Sequence, residues 1–166
     1  VYLSPKQIEQ GSGIFDTFVM EPLLRVKHAL MGADADLILH DCGELTDGMV
    51  ASLASLDPAV LSLGSSRVLW EDARLVPNTT VLFGNLPSKR FFSDAEITVE
   101  QVEDMGAELL ARMRQVGHPF VLGSECDVLS VPGCEHTLHE KAMAIVRCAA
   151  GRSGGEALEA LAAAGS

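Results

Sequence analysis

A chain of 166 residues, 48% hydrophobic and 21% charged, is long enough for one domain with a buried core and too apolar to be disordered throughout. Its formal charge of −11 excludes phosphate-backbone and anionic-membrane binding as leading functions, because both need clustered Lys and Arg and no basic stripe is present. No apolar run approaches the roughly 20 residues of a membrane span. No charged leader followed by an apolar core opens the sequence, which begins at Val1, as a fragment or processed product would. Four cysteines (Cys42, Cys126, Cys134, Cys148) are too sparse for a small disulfide scaffold, so reduced thiols in a cytoplasmic protein are expected.

In chain order, Ser4-Pro5 followed by Glu9 reads as a helix start, which Gly11-Ser12-Gly13 interrupts. Phe15, Phe18, Val19, Leu23, Val26 and Leu30 recur at helical spacing over residues 14–31, and Pro22 predicts a kink or break inside that run. A first strand is expected at 36–40, a helix from the turn at 43–47 to about 56, and a second strand at 59–63. A short helix over 67–75 and a third strand at 79–83 follow, then a long loop over 84–94. Thr98 with Gln101 predicts a capped helix to Val116, stopped by Gly117. A fourth strand at 120–123 leads to a loop carrying Cys126 and Cys134, and a last helix covers 136–150. Residues 1–150 therefore read as a single β/α domain. Residues 151–166 read as a flexible C-terminal tail, with an alanine-rich helix over 156–164.

Strands alternating with helices imply a parallel sheet with right-handed crossovers, either an open doubly wound sheet or half of an eight-stranded barrel. Both put functional residues at the carboxyl ends of strands, where Cys42, Ser65, Asn85 and Cys126 fall. His40 and Cys42 are two apart at such an end and therefore share a face. An imidazole and a thiolate side by side make half of a tetrahedral zinc site, and Cys126, ending another apolar run, is the best candidate to extend it. Cys134 with His136 is a competing pair. Cys148, inside a helix, reads as packing; His28, His118 and His139 read as surface or turn residues; the six methionines read as core.

The strand ends His40-Asp41-Cys42-Gly43, Gly84-Asn85-Leu86 and Gly123-Ser124-Glu125-Cys126-Asp127 resemble, in that order, the C-terminal half of the uroporphyrinogen decarboxylase superfamily. Within it they are most similar to the corrinoid-dependent methyltransferases of the methylcobalamin:coenzyme M type. The resemblance spans roughly residues 4–146. It implies a TIM-barrel-type α/β fold of about four β/α units, the C-terminal half of a (β/α)8 barrel. It also implies zinc held by His40, Cys42 and Cys126, and a methyl group moved from a corrinoid on a partner protein to a zinc-activated thiol. Two departures stand out: Glu44-Leu45-Thr46 follows Cys42-Gly43 where the family usually has Asn and Thr, and Gly64-Ser65-Ser66 stands where many members have an acidic strand end. A full family barrel is about twice as long, so the implied partners include the missing barrel half or a second copy of the chain, besides the corrinoid protein; no nucleic acid and no membrane are expected.

Asn85 is read as a substrate-binding residue at its strand end, against the plainer reading of a turn residue. Glu44 and Asp127 are candidate acceptors for the second ring N–H of His40, Asp41 a helix-cap or salt-bridge residue, and Lys89-Arg90 a grip for an acidic substrate tail or a solvated turn. Two other functions compete. A metal-free, decarboxylase-like enzyme would need basic residues at the barrel mouth, for which Arg67, Lys89 and Arg90 are the candidates. A non-catalytic partial barrel would only bind a partner.

Overall fold

The computed structural model describes residues 12–33 and 35–151, so the helix start at 4–10 and the tail helix at 156–164 lie outside the described residues. The chain first forms a helical run: α1 (Ser12–Phe15), a π-helical turn (Asp16–Met20) and α2 (Glu21–Leu30). The kink expected at Pro22 takes the form of this π turn. Proline in the first turn of α2 has no N–H for the preceding turn, and the wider i→i+5 spacing accommodates it. Ser12-Gly13 opens α1, and the interruption expected at 11–13 of the helix at 4–10 lies partly outside the described residues. The apolar stripe also divides differently from the expectation: Phe15, Val19 and Met20 are buried, while Phe18 and Val26 face solvent.

Four strands follow: β1 (Ile38–Asp41), β2 (Val60–Leu63), β3 (Val81–Leu86) and β4 (Phe120–Ser124). They form one parallel sheet in the order β1-β2-β3-β4, with Leu39 beside Leu61, Leu61 beside Leu82, and Leu82 beside Phe120. The connecting helices are α3 (Asp47–Ala54), α4 (Leu69–Asp72) and α5 (Val99–Val116), and α6 (Glu135–Ala150) follows β4. Thr46 caps α3 by accepting from the Met49 N–H at 3.3 Å. Thr98 and Gln101 form the expected capping box on α5, which ends at Gly117 with φ of 69°. Strand β3 runs on through Gly84-Asn85-Leu86, which the sequence placed in a loop; Leu86 extends the ladder to Ser124.

A sheet whose spatial order equals its chain order is singly wound: each right-handed crossover returns on the same side. Side-chain parity shows the result. Leu39, Leu61, Leu63 and Leu82 point to one face and pack with Met49, Val50 and Leu53 of α3, Leu69 of α4, and Leu109 and Met113 of α5. Leu86 joins a second cluster with Phe91, Ile97, Val102, Leu138 and Ala144. Each such side chain taken from water contributes about 1.5–3 kcal/mol. The alternate residues Ile38, Val60, Val81, Phe83 and Val121 belong to neither cluster, and Ile38 and Val121 are 67% and 49% exposed. Among the described residues the helices thus cover one face only. Phe83 lies over Gly123 on the other face, where a Cβ would come within 2.3 Å of the ring.

Two further expectations are corrected. His118 is buried rather than superficial, with its ring nitrogens at 3.0 and 3.1 Å from the carbonyls of Pro119 and Val76. Met20, Met49 and Met113 are core residues, but Met31 and Met105 are exposed, because only one stripe of each helix meets the sheet. No helix among the described residues is long and apolar enough to cross a membrane.

The loop after β3 is fixed from α6. Lys141 is fully buried, and its ammonium donates to the Phe91 carbonyl at 3.0 Å and pairs with the Asp94 carboxylate at 2.9 Å. Lys141→Ala strands a buried carbonyl and opens a cavity, and should lower unfolding free energy by about 2–4 kcal/mol in urea titration.

Candidate metal centre

The carboxyl ends of β1 and β4 carry the three side chains of interest. His40 lies within β1, Cys42 just beyond it and Cys126 two residues beyond β4. One potential ligand atom from each lies within 4.8 Å of both others. The Cys42 and Cys126 sulfurs, 84 residues apart in sequence, are 3.7 Å apart. Two sulfurs bonded at ~2.3 Å to one tetrahedral ion stand about 3.8 Å apart, so the spacing fits a shared zinc-sized ion. His40 Nδ1 faces the Ser62 hydroxyl at 2.9 Å, which leaves Nε2 as the nitrogen available for ligation. Ser62, buried on the neighbouring strand in direct register with His40, takes the part considered for Glu44 and Asp127. Strand alternation alone could not find it, since that pairing depends on how β2 aligns with β1.

Cys134 and His136 are not part of the group. Cys134 starts α6 and packs against the second cluster. Cys148 is a packing residue, as expected: its thiol donates to the Glu103 carbonyl at 3.4 Å and lies against Gly106. Asp41 points off the ligand side, where its carboxylate accepts from the Gly43 N–H at 2.8 Å and closes the turn.

Two close approaches set the position of Cys42. Gly64, at the end of β2, donates its N–H to the Asp41 carbonyl at 3.1 Å. A Cβ on Gly64 would stand 2.9 Å from the Cys42 Cα, so only glycine lets the two strand ends lie this close. Asn85 sits inside β3, with its amide nitrogen donating to the carbonyls of Gly64 and Arg67 at 2.7 and 2.8 Å. It ties the ends of β2 and β3 together through that nitrogen.

A charged cluster missed by the sequence reading adjoins the sulfurs. Glu125 is 5% exposed, and its Oε2 accepts from the Ser65 backbone N–H and hydroxyl at 3.2 and 2.8 Å. Lys89 lies 3.6 Å from the same oxygen. Burial disfavours the Lys89 ammonium, but Glu125 and then the two cysteines outweigh it and hold its pKa above the ordinary value. Burial, and then contact with Cys126, push the Cys42 thiol up, against the opposing pull of Lys89. The remaining cations near the mouth are committed elsewhere. Arg67 donates to Asp72 at 3.0 Å, Asp47 at 2.8 Å and the Leu45 carbonyl at 2.9 Å; Arg90 pairs with Glu96.

No protein-family model matches the chain, and no curated protein matches it. The site therefore rests on its own geometry: two sulfurs and an imidazole, half-exposed, able to hold a borderline-soft divalent cation with one position open. Phenylarsenoxide, which binds where two thiols stand side by side, tests that geometry without a metal. One equivalent should be retained by the parent protein and none by Cys42→Ser or Cys126→Ser, by mass spectrometry under native conditions. Gly64→Ala, which displaces Cys42, should weaken retention and cost about 1–3 kcal/mol of stability.

Proposed function

We propose that the chain is the C-terminal half of a barrel-type methyltransferase that activates a thiol at a zinc ion held by His40, Cys42 and Cys126, with a corrinoid on a partner protein as methyl donor. The observation that carries this reading is the meeting of sulfurs from the two outer strands. With β2 and β3 between them, β1 and β4 would stand about 14 Å from each other in a flat sheet, at ~4.8 Å per step over three steps. A 3.7 Å sulfur contact across that gap favours a sheet and strand-end loops curled toward the helix-free face, as in a barrel wall. The singly wound order supports the same architecture, with catalytic groups at the C-terminal rim.

Each residue has a part that its surroundings allow. Cys42 and Cys126, as thiolates, and neutral His40 would cancel the charge of a divalent ion and leave a fourth position free. Ser62 fixes the tautomer and tilt of His40. Gly64 and Asn85 hold the β2 and β3 ends so that Cys42 and Cys126 stay within bonding distance of one ion. Zinc, when bound, supplies a Lewis-acid position at which a substrate thiol loses its proton and becomes nucleophilic.

Metal analysis of protein purified without chelator tests the first step: one zinc per chain is expected, and none after Cys42→Ser or Cys126→Ser. Ser62→Ala should weaken zinc binding about 10–100-fold while leaving the stoichiometry at one. The pH dependence has a definite sign. Burial and Cys126 raise the Cys42 thiol, so binding must expel its proton, and zinc affinity should climb as pH rises from 6 to 8.5. Methyl transfer from methylcobalamin to a small thiol, followed by the cobalamin spectrum, tests the second step. Zinc-loaded protein combined with its barrel complement that gives no transfer would sink the methyltransferase reading and leave the metal site standing.

A further inference from the structure

We infer that Lys89 is a specificity-determining residue of this centre: its positive charge makes the open coordination position select an anionic sulfur over a neutral donor. The inference rests on the reading of His40, Cys42 and Cys126 as metal ligands and deepens it.

The loop bearing Lys89 is fastened to the Cys126 strand end. The Ser88 hydroxyl, fully buried, donates to the Cys126 carbonyl at 2.9 Å and lies 3.4 Å from that of Asp127. Glu125, immediately before Cys126, holds the Lys89 ammonium at 3.6 Å while keeping its shorter hydrogen bonds for Ser65. An ammonium has three N–H donors, and a single 3.6 Å ion pair leaves donors for another acceptor. Lys89 is 45% exposed, and its charge acts on both sulfurs: it pulls against the rise of the Cys42 thiol, and Cys42 and Cys126 in turn favour its ammonium.

Charge accounting then separates ligand classes. A divalent ion with two thiolates and a neutral imidazole is neutral, and a neutral fourth ligand leaves it so. A thiolate adds one negative charge beside two others already present, and the nearby ammonium offsets that repulsion. For a half-exposed charge several ångströms away, the offset corresponds to about tenfold in affinity. The role differs from gripping a substrate's acidic tail, because it acts on the ligating sulfur itself and applies to thiols with no other charge.

Cobalt-substituted protein reports ligation through sulfur-to-cobalt charge-transfer bands. At one fixed pH it is titrated with 2-mercaptoethanol, which binds as its thiolate and gives its proton to buffer, and with imidazole, which binds neutral. Lys89→Met should lower the thiol affinity about tenfold relative to imidazole, and Lys89→Arg should keep the parent ratio. An unchanged ratio in cobalt-loaded Lys89→Met, or an equal fall in Lys89→Arg, overturns the role of Lys89 alone. Failure of the parent protein to develop charge-transfer bands overturns the metal reading itself.

Discussion

Everything at the rim depends on a single close approach, the 3.7 Å between sulfurs that begin on opposite edges of the sheet. Neither strand pairs with the other; β2 and β3 stand between them. The approach therefore cannot come from a local turn. It requires strand-end segments that lean toward one another across two intervening strands, and the closeness of neighbouring strand ends has identifiable causes. Gly64 lets the β1 and β2 ends touch, and the Asn85 amide bridges the ends of β2 and β3. Gly123 makes room for the Phe83 ring between β3 and β4. Two bare glycine positions and one side-chain amide draw each neighbouring pair of strand ends together.

Charge at this rim is arranged in closed pairs. Arg67 is the hub of one group, gripping Asp72 in the interior and Asp47 at the start of α3, and the Asp72 hydrogen bond outweighs the cost of burial in keeping it protonated. Arg90 answers Glu96, and Lys141 answers Asp94. A decarboxylase working on polycarboxylate substrates without a metal needs cations free to meet the incoming carboxylates, and these residues are already matched. Lys89 is the cation whose charge acts on the sulfurs, and Glu125 holds it only at 3.6 Å. That distribution suits a site that handles one extra negative charge better than a site that receives several.

Much of the architecture was legible because it rests on local signals. Thr98 with Gln101, Gly117 and Gly151 marked helix ends through backbone needs that few other residues meet, and the four apolar runs marked the strands. His40 and Cys42 could be paired because strand alternation is a two-residue rule. The choice of Cys126 over Cys134 followed from which cysteine ends a strand. The misses share a different cause. Ser62 meets His40 only through the register of β2 against β1, Glu125 meets Lys89 through the folding back of a loop, and β3 runs past Gly84-Asn85 because β4 pairs with it there. His118 looked superficial because its partners, the carbonyls of Val76 and Pro119, leave no mark in a side-chain pattern. Register and backbone acceptors are set by tertiary packing, which a single sequence does not display.

The two faces of the sheet also explain why the site lies where it does. The helix-packed face is filled by leucine to the strand ends and has no room for a polar group that is not already satisfied. The opposite face carries the polar residues of the middle strands, Ser62 and Asn85, and the apolar residues Ile38 and Val121 at its edges, 67% and 49% exposed. On that face His40 of β1 meets Ser62 of β2, and the Cys126 sulfur beyond β4 comes within 3.7 Å of the Cys42 sulfur beyond β1. The centre built from the outermost strands therefore lies on the face that the described helices leave uncovered, and a change that moves the strand ends apart separates its ligands before it disturbs the leucine core beneath.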